Sequence, residues 1–460
     1  MKHVLFETDW LASRSVFYNK KTGKVSHYIN DVIDYANFEF DPEGFNNYLD
    51  FGYSVFEQTP VKDVKFLRYS SRLVVDDDGK LSVQYLDDPV DELMDIRYSE
   101  ADVMQLIQSK VRQWEDSVEG EIIIPTSGGY DSRLLNWCVR DKSRIRSFTY
   151  GLSQDQIRSS EVVYARKLSE ILETRWAQIP LGHFHKYFND WERLYGVATH
   201  AHGMYHMEFY DKIRSVVDGA NPFLSGIVGD LWAGSVAPKK LVSWKDLQTL
   251  GHTHGISADV HSSSLKTQYE LRRIFWEQEA GKLTDWRYQI VFLVRLKIIL
   301  LSYLLVVPEL YGFRPWSPFL DIAVAMSMLN LPPQRKAGRV WQREFFHRNG
   351  IDVESMGLDV NRENTLDLQA ITKMPPEPLN AQQLREVVRS SYVEWINNNV
   401  LFQNSYLIRA TLDLLYTVPK VRGGLHRLGF KDAASRRREA YNAYLVLLPI
   451  QNLLEKRKQL

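Results

Sequence analysis

The sequence predicts an α/β protein built on a doubly wound, mostly parallel β-sheet, and three observations support this fold class. First, the β-branched run Ile122–Ile124 leads through a glycine turn directly into an apolar helical pattern. Second, short apolar runs that end at Gly151 and Gly226 alternate with helical periodicity, as in chains of βαβ units. Third, the chain from about Ser243 onward has mainly helical periodicity, which predicts a helical C-terminal part.

The N-terminal part has a different pattern of short strands and turns. Residues 17–28 and 71–83 each place a polar, glycine-containing turn between apolar runs, which predicts two β-hairpins. Residues 42–51, between the hairpins, predict a short helix. A linker rich in aspartate at residues 87–91 ends this small α+β region. The expected domains are therefore residues 1–95 and residues 96–460.

The elements of the larger domain follow in order. Ser99 and Asp102 form a capping-box pattern at the start of a helix whose apolar stripe runs from Val103 to Trp114. The strand and glycine turn that follow end at the carboxyl edge of the predicted sheet, where ligands bind in such folds. The remaining predicted elements are a strand at 147–151, a helix at 159–172, a strand at 176–180 and a strand at 221–226.

Composition excludes some classes of function. The 460 residues are 44% hydrophobic and 25% charged, and 57 basic residues balance 57 acidic ones. A net charge of zero supplies no global field that would attract nucleic acid or an anionic membrane. Cys138 is the one cysteine, so the chain forms no internal disulfide, which suits a reducing cytoplasm. Since the N-terminus lacks an apolar run long enough for a signal peptide, we expect a cytoplasmic protein.

Residues 290–307 are apolar enough to imitate a membrane span, but Arg295 and Lys297 lie within them. A charged residue at the middle of a bilayer costs about 2.5–3.5 kcal/mol even on lenient scales. Two such residues would offset much of the gain from inserting the segment. We therefore expect a buried core helix here and no membrane span.

The turn after the first apolar strand has the chemistry of a phosphate-binding loop. Gly128 and Gly129 allow a phosphate to approach backbone N–H groups at the N-terminus of the following helix. Ser127 and Ser132 add hydroxyl donors, and the carboxylate of Asp131 suits Mg²⁺. The loop is not a Walker A motif, because no Gly-Lys-Ser/Thr sequence follows at the required spacing. An ordinary strand–turn–helix corner is the alternative interpretation.

Four sequence landmarks follow one another along the chain, and their order is more specific than any one of them. They are Ser127–Ser132 (Ser-Gly-Gly-Tyr-Asp-Ser), Phe148–Gly151 with Ser160–Leu168, Leu224–Asp230 (Leu-Ser-Gly-Ile-Val-Gly-Asp), and Arg314–Asp321 followed by Leu331-Pro332-Pro333. In this order they resemble the asparagine synthetase family over most of the chain. The glycine loop is similar to the pyrophosphate-binding loop of the ATP pyrophosphatases, which split ATP into AMP and pyrophosphate.

The resemblance implies a sheet of the ATP pyrophosphatase type and an enzyme that uses ATP and Mg²⁺ to activate a carboxylate. It implies that Asp131 and Asp230 hold the metal, although Asp230 also suits an N-cap. Glu161 would face the strand ends and the substrates. The nucleotide-binding residues that the resemblance implies are Ser127, Gly128, Gly129, Asp131, Ser132, Thr149, Ser225 and Gly226.

Departures from the family pattern bear on the chemistry. Ile227 stands where the family has an acid that assists amide formation, and Leu231 stands where it has a glutamate. The family also has a phosphate-contacting lysine in the helix after the Leu-Pro segment. Lys336, Arg339 and Arg343 are equal candidates for this role here. A solvated basic helix face is the alternative for each of these three residues.

The N-terminal region resembles the later part of the family's glutaminase domain, an Ntn-hydrolase sandwich, through residues 56–60 and 64–67. That domain releases ammonia with a cysteine exposed by loss of the first methionine. Residue 2 here is Lys2, and the first strands of the domain have no counterpart. Because lysine cannot replace a thiol nucleophile in this chemistry, we expect a truncated, inactive glutaminase.

The histidines do not form a zinc-binding pattern, because none pairs with a cysteine or a carboxylate motif at ligand spacing. His200 and His206 are instead candidates to line the acceptor pocket. With Glu161 they are candidates to move the proton that the family acid would move. The basic runs Arg436–Arg438 and Lys456–Lys458 have the pattern of a solvated helix face. The histidines considered for zinc are His183, His185, His200, His202, His206, His252 and His254.

The expected function is that of an ATP-dependent amide ligase that releases AMP and pyrophosphate. Its substrates would be a small-molecule or peptide carboxylate and either ammonia or an amine, and a biosynthetic partner protein could supply one of them. Relatives without a glutaminase include enzymes that close peptide or lactam rings, which is one alternative. A catalytically silent family member that serves as a partner scaffold is another, and Ile227 is its best argument.

Overall fold

The computed structural model describes residues 3–251, 255–401 and 433–459. Over these ranges the chain is a mixed α/β protein with one five-stranded parallel sheet and two three-stranded antiparallel sheets. The strands are β1 (His3–Glu7), β2 (Phe17–Asn19), β3 (Val25–Ser26), β4 (Val64–Phe66), β5 (Ser71–Val75), β6 (Leu81–Tyr85), β7 (Ile122–Pro125), β8 (Ile145–Thr149), β9 (Arg175–Gln178), β10 (Pro222–Leu224) and β11 (Arg314–Trp316).

The two antiparallel sheets lie in the N-terminal part, in the orders β1-β5-β6 and β3-β2-β4. Both predicted hairpins are confirmed, because β2 pairs with β3 and β5 pairs with β6. The predicted helix spans Pro42–Phe51. The side chain of Asp41 caps its first N–H groups, and Gly52 ends it in the left-handed region with a φ of 79°. Local sequence signals were therefore enough to locate the two hairpins and this helix.

The parallel sheet has the order β11-β10-β7-β8-β9. Ile122, Ile123 and Ile124 of the central strand are completely buried, as expected for a strand covered on both faces. The chain places β8 and β9 on one side of β7 and then adds β10 and β11 on the other side. The direction in which strands are added therefore reverses between β7 and β10. In open α/β sheets this reversal creates the crevice in which ligands bind.

Strand β11 was not predicted, because the sequence indicated mainly helix from about Ser243. It lies at the edge of the sheet, where Pro315 is opposite Phe223 of β10. A proline has no N–H to offer a further strand, so it is tolerated at an edge. The pairing depends on a neighbour distant in sequence, which the local pattern does not show.

Most helices belong to the larger predicted domain. The predicted capping box of Ser99 and Asp102 is confirmed at the start of its helix. The longer α-helices in the described ranges are Pro42–Phe51, Glu100–Asp116, Tyr130–Cys138, Ser160–Leu172, Phe188–Tyr195, Met204–Arg214, Glu270–Glu279, Trp286–Leu301, Tyr303–Leu310, Ile322–Leu329, Val340–Arg348, Leu366–Lys373, Ser390–Val400 and Ala433–Lys458. The shorter ones are Ile29–Val32, Val90–Leu93, Gly229–Ala233, Leu247–Gly251, Pro333–Lys336 and Ala381–Leu384.

One helical segment among the described residues, Trp286–Leu310, is long and apolar enough to cross a membrane, and 72% of its most apolar window is buried. Arg295 within it donates to both carboxylate oxygens of Asp88, at 2.6 and 2.8 Å. Its Nε also donates to the carbonyl oxygen of Trp10, at 3.0 Å. Arg295 thus joins this helix to the N-terminal part, and one continuous apolar core extends through both predicted domains.

Candidate functional site

A cavity of about 580 Å³ opens at the carboxyl ends of β7, β8 and β10, beside the point where the strand order reverses. Cavities of this size are typical of small-molecule sites. Most of the residues that the sequence singles out line it, although they come from separate segments of the chain. These residues are Ser127, Gly128, Gly129, Asp131, Ser132, Thr149, Glu161, Ser225, Gly226, Asp230 and Arg339.

The glycine loop forms one wall of the cavity. Gly128 has a φ of 68°, and a Cβ placed on it would lie 2.4 Å from the Cβ of Tyr164, so only glycine fits. The following helix, Tyr130–Cys138, begins at Gly129 without a side-chain cap. The first N–H groups of this helix are therefore available to an anion. Ser127, which is exposed, and Ser132 add hydroxyl groups on the same wall.

Arg133 holds the loop in place, although it was not among the site residues predicted from the sequence. Its side chain is completely buried. It donates to the carbonyl oxygen of Gly128 at 2.6 Å and forms two hydrogen bonds with the carboxylate of Glu354, each 2.7 Å long. Glu354 itself lines the cavity. The sequence did contain a signal for this role, which was an arginine directly after the Asp-Ser pair on an otherwise apolar helix face.

Asp131 and Asp230 approach each other across the cavity. Burial raises the pKa of Asp131 well above its usual value, and the charge of Asp230 raises it further. The Oδ1 atom of Asp131 is buried and has no hydrogen-bond partner among the described residues. A Cβ on Gly229 would lie 2.9 Å from Cγ of Asp131, so glycine is needed for this approach. The hydroxyl of Ser235 donates to Asp230 Oδ2 at 2.9 Å.

These two carboxylates are the metal-ligand candidates that the structure brings together. Within the described ranges no group of three or more histidine, cysteine, aspartate or glutamate residues could hold a metal ion. A pair of carboxylates suits Mg²⁺, which commonly takes one or two protein carboxylates and completes its shell with water and phosphate oxygens. A buried carboxylate oxygen without a partner, next to a second carboxylate, fits such a cation.

Glu161 and Thr149 line the cavity in different ways. The hydroxyl of Ser159 donates to Glu161 Oε2 at 2.6 Å, and that of Ser160 donates to Oε1 at 3.2 Å, which orients the carboxylate. The Thr149 hydroxyl instead donates to the carbonyl oxygen of Thr126 within the sheet. The side chain of Thr149 therefore fixes the strand end, and its carbonyl oxygen accepts from the N–H of Ile179 at 2.8 Å.

The turn after β10 forms the opposite wall. The N–H of Ser225 donates to the carbonyl oxygen of Trp316 at 2.8 Å, which fixes the turn to the edge strand. A Cβ on Gly226 would lie 3.3 Å from the Cβ of Asp131, so the two walls are close. Ile227 is completely buried but contributes to the lining, and Val228 has a φ of 57°. An apolar side chain thus occupies the position where the family pattern has an acid.

Of the three basic candidates, only Arg339 lines the cavity. Its guanidinium carbon lies 4.3 Å from the centre of the Tyr130 ring, beside the glycine loop. Lys336 is buried elsewhere, with Nζ 4.0 Å from the Trp286 ring centre and donating to the carbonyl oxygen of Leu329 at 3.1 Å. Burial lowers the pKa of Lys336 to about 7. Arg343 is exposed and lies outside the lining.

His206 is the one histidine that lines the cavity, as far as the structure describes the chain. Burial lowers its pKa to about 3, and its Nδ1 has no hydrogen-bond partner among these residues. His200 is buried outside the lining, where its Nδ1 accepts from the N–H of His202 at 3.2 Å. The predictions for His252 and His254 fall outside the described residues.

Lys297 is a further group near the site that the sequence analysis considered only as a charge in an apolar segment. It lies on the helix Trp286–Leu301. Burial lowers its pKa to about 8, and the negative charge of Asp230 opposes that shift. An ammonium close to Asp230 could not be inferred from sequence, because it depends on where the long helix packs.

No protein-family model matches the chain, and no curated protein matches it as a relative. The resemblance to the asparagine synthetase family therefore rests on the four sequence landmarks.

Proposed function

We propose that the protein is an ATP-dependent amide ligase that adenylates a carboxylate and transfers it to ammonia or an amine. The observation that carries the proposal is the pair Asp131 and Asp230 beside the glycine loop. A buried carboxylate oxygen of Asp131 has no hydrogen-bond partner in the described parts of the chain. Two carboxylates at such a place favour a divalent cation, and the loop favours a phosphate. Together they suit a magnesium nucleotide.

The fold supports a nucleotide at this position. The strand order of the parallel sheet suits a doubly wound sheet of the ATP pyrophosphatase type, with the cavity at its reversal point. Gly128, Gly129 and Ser132 line one wall, beside the N-terminus of the helix Tyr130–Cys138, which would accept phosphate oxygens. Arg339 adds a fixed positive charge, as required where negative charge develops on a leaving group. Ser225 and Gly226 line the opposite wall, where the nucleoside would lie.

The two carboxylates would hold Mg²⁺, which would neutralise charge on the departing pyrophosphate. The other roles fall to the residues of this chain. Arg133 keeps the carbonyl of Gly128 turned inward, so that the loop presents its N–H groups to the cavity. Glu354, held by Arg133, fixes one side of the opening. These contacts set the loop geometry before any ligand binds, which lowers the cost of binding.

The amide-forming step requires a group that accepts a proton from the attacking amine. Ile227 cannot do so, and two other groups in the lining can. Glu161 is oriented by two serine hydroxyls. His206 is neutral at physiological pH because burial lowers its pKa to about 3, and its Nδ1 has no hydrogen-bond partner within the described ranges. An amine or free ammonia would be the nitrogen source. The prediction that the glutaminase is inactive rests on Lys2, which lies outside the described residues.

The test is ATP–pyrophosphate exchange measured over a library of carboxylates with Mg²⁺. We expect exchange with one class of carboxylate, and loss of at least a hundredfold in Asp131→Asn, which keeps the shape of the side chain. Asp116→Asn, at an exposed carboxylate on another helix, is the matched control and should retain full exchange. Activity of Asp131→Asn within a few-fold of the parent would contradict the assigned role of Asp131.

A catalytically silent protein is the second candidate function, and the buried Ile227 is the observation in its favour. Such a protein would bind ATP through the glycine loop without exchange. Equilibrium binding of a fluorescent ATP analogue, combined with absence of exchange across the whole library, would favour this alternative. Exchange with any carboxylate excludes it.

A further inference from the structure

A second cavity, of about 410 Å³, lies between the N-terminal sheets and the helices Glu270–Glu279 and Trp286–Leu301. It shares no lining residue with the candidate active site. Its walls are largely apolar and aromatic, which is typical of sites for small organic ligands. The aromatic residues of the lining are Tyr18, Phe56, Phe66, Tyr69, Tyr85, Phe275 and Phe292.

One end of this cavity is polar. The guanidinium carbon of Arg68 lies 4.0 Å from the centre of the Tyr85 ring, and its Nε lies 4.0 Å from Glu57 Oε1. That distance is an ion pair without a hydrogen bond. The hydroxyl of Tyr85 donates to Glu57 Oε2 at 3.0 Å. The Nε of Arg68 is buried and has no hydrogen-bond partner among the described residues, so a charged donor is left unsatisfied.

Backbone strain coincides with this polar end. Phe56 and Glu57 are consecutive non-glycine residues in the left-handed region, with φ values of 55° and 58°. Such conformations are unfavourable and persist only where the surrounding structure enforces them, often at ligand sites. Both side chains line the cavity. The strained turn therefore supplies a wall and a carboxylate to the same space.

The charges around the cavity favour an anion. Lys65 is paired with Asp41 at 3.0 Å, and Arg295 is paired with Asp88. The remaining charged groups of the lining are Lys20, Arg68 and Glu57. Two cations therefore face one carboxylate. Burial raises the pKa of Glu57, and the charge of Arg68 opposes that shift.

We propose that this cavity binds an apolar monocarboxylate, with its carboxylate on Arg68 and its hydrocarbon or aromatic body against Phe275 and Phe292. The lining also includes Leu271 and Ile274, which are 40% and 46% exposed. A ligand body there removes apolar surface from water, which favours binding. The inference is independent of the function proposed for the first cavity.

The experiment is calorimetric titration of the full-length protein with decanoate, and with decylamine as the ligand of opposite charge. We expect one decanoate site and at least tenfold weaker binding of decylamine. Arg68→Gln should weaken decanoate binding at least tenfold, about 1.4 kcal/mol. Arg72→Gln is the matched control, because Arg72 lies on β5 outside the lining and pairs with Glu7. It should bind decanoate like the parent.

Two further variants decide which charge anchors the ligand and where its body lies. Glu57→Gln should bind decanoate at least as tightly as the parent, since it removes a competing carboxylate. Ile274→Glu places a negative charge at a side chain that is 46% exposed, and it should weaken decanoate binding at least tenfold. Thermal melting and ATP–pyrophosphate exchange of each variant report folding and the first cavity separately.

Any one of these outcomes would overturn the proposal: no decanoate binding, equal or tighter binding of decylamine, loss of decanoate binding in Glu57→Gln, or equal effects of Arg68→Gln and Arg72→Gln. An undiminished affinity in Ile274→Glu would also contradict it, because the ligand body would then lie elsewhere. None of these outcomes bears on the ligase activity, which is read from exchange alone.

Discussion

Arg133 donates to both carboxylate oxygens of Glu354 and to the carbonyl oxygen of Gly128, so one guanidinium joins the glycine loop to a turn 221 residues further along the chain. The ring centre of Phe346 lies 5.0 Å from the guanidinium carbon of Arg133, so this ring covers the same guanidinium. The buried side chain of Arg133 thus sets the shape of the loop, while Glu354, which is 32% exposed, faces the cavity.

Arg133→Gln should destabilise the protein, because it leaves the Gly128 carbonyl and the Glu354 carboxylate without their donor. We expect the free energy of unfolding to fall by about 2–3 kcal/mol, less than for a fully buried pair because water reaches Glu354. Urea unfolding is the measurement. Arg140→Gln, which breaks an exposed pair with Asp116, is the control and should change the free energy by less than about 0.5 kcal/mol. Equal losses in both variants would contradict the role of Arg133.

Asp131 should make stability depend on pH when divalent cations are absent. Burial and Asp230 raise its pKa in the folded state above the value in the unfolded chain, which is about 3.9. The stability linked to this proton is present at low pH and is lost as pH rises through the folded-state pKa. Asp131→Asn lacks this dependence. The free energy of unfolding of the variant relative to that of the parent, measured in urea, should therefore increase from pH 4.5 to pH 8.

Millimolar Mg²⁺ provides the complementary measurement for the same site. It should raise the melting temperature of the parent at pH 8, since a ligand that binds only the folded state stabilises it. Asp131→Asn should show a much smaller rise. Two results would argue against a metal site at Asp131 and Asp230. One is that the parent gains stability relative to Asp131→Asn as pH rises, and the other is that Mg²⁺ raises the melting temperature of both proteins equally.

Substitutions of Arg339 and of Lys336 should have clearly different effects on ATP–pyrophosphate exchange. Arg339 lines the cavity, whereas the ammonium of Lys336 is occupied by the Leu329 carbonyl and the Trp286 ring. Arg339→Gln should lower ATP–pyrophosphate exchange at least tenfold, because it removes a cation near the phosphates. Lys336→Met should keep exchange within threefold of the parent. The reverse order would show that Lys336 moves into the site when ATP binds.

Glu161 and His206 should affect the second half-reaction more than the first. In the proposed mechanism neither is needed to form the adenylate, and one of them takes the proton of the attacking amine, because Ile227 cannot. We expect Glu161→Gln or His206→Ala to release pyrophosphate while forming less amide product, measured together by mass spectrometry. His200→Ala, outside the lining, is the control. Equal loss of both half-reactions in both variants would remove these two residues as proton acceptors.

Local structure could be predicted from sequence because its causes lie within a few residues. Asp41 and Gly52 delimit the helix Pro42–Phe51 through contacts with its own ends. The glycine turn after Ile124 could be recognised because apolar periodicity changes from strand to helix across it. Hairpin pairing follows in the same way from the turn between two adjacent strands.

The chemistry of the site was decided by tertiary structure. The sequence supplied Asp131, Asp230 and Arg339 as candidates, but their meeting depends on the reversal of strand order between β7 and β10. Three nearby basic residues were equivalent by sequence, and packing turned Lys336 into the core while it brought Arg339 to the cavity. The direction and the burial of a side chain depend on neighbours distant in sequence, and burial in turn sets its charge.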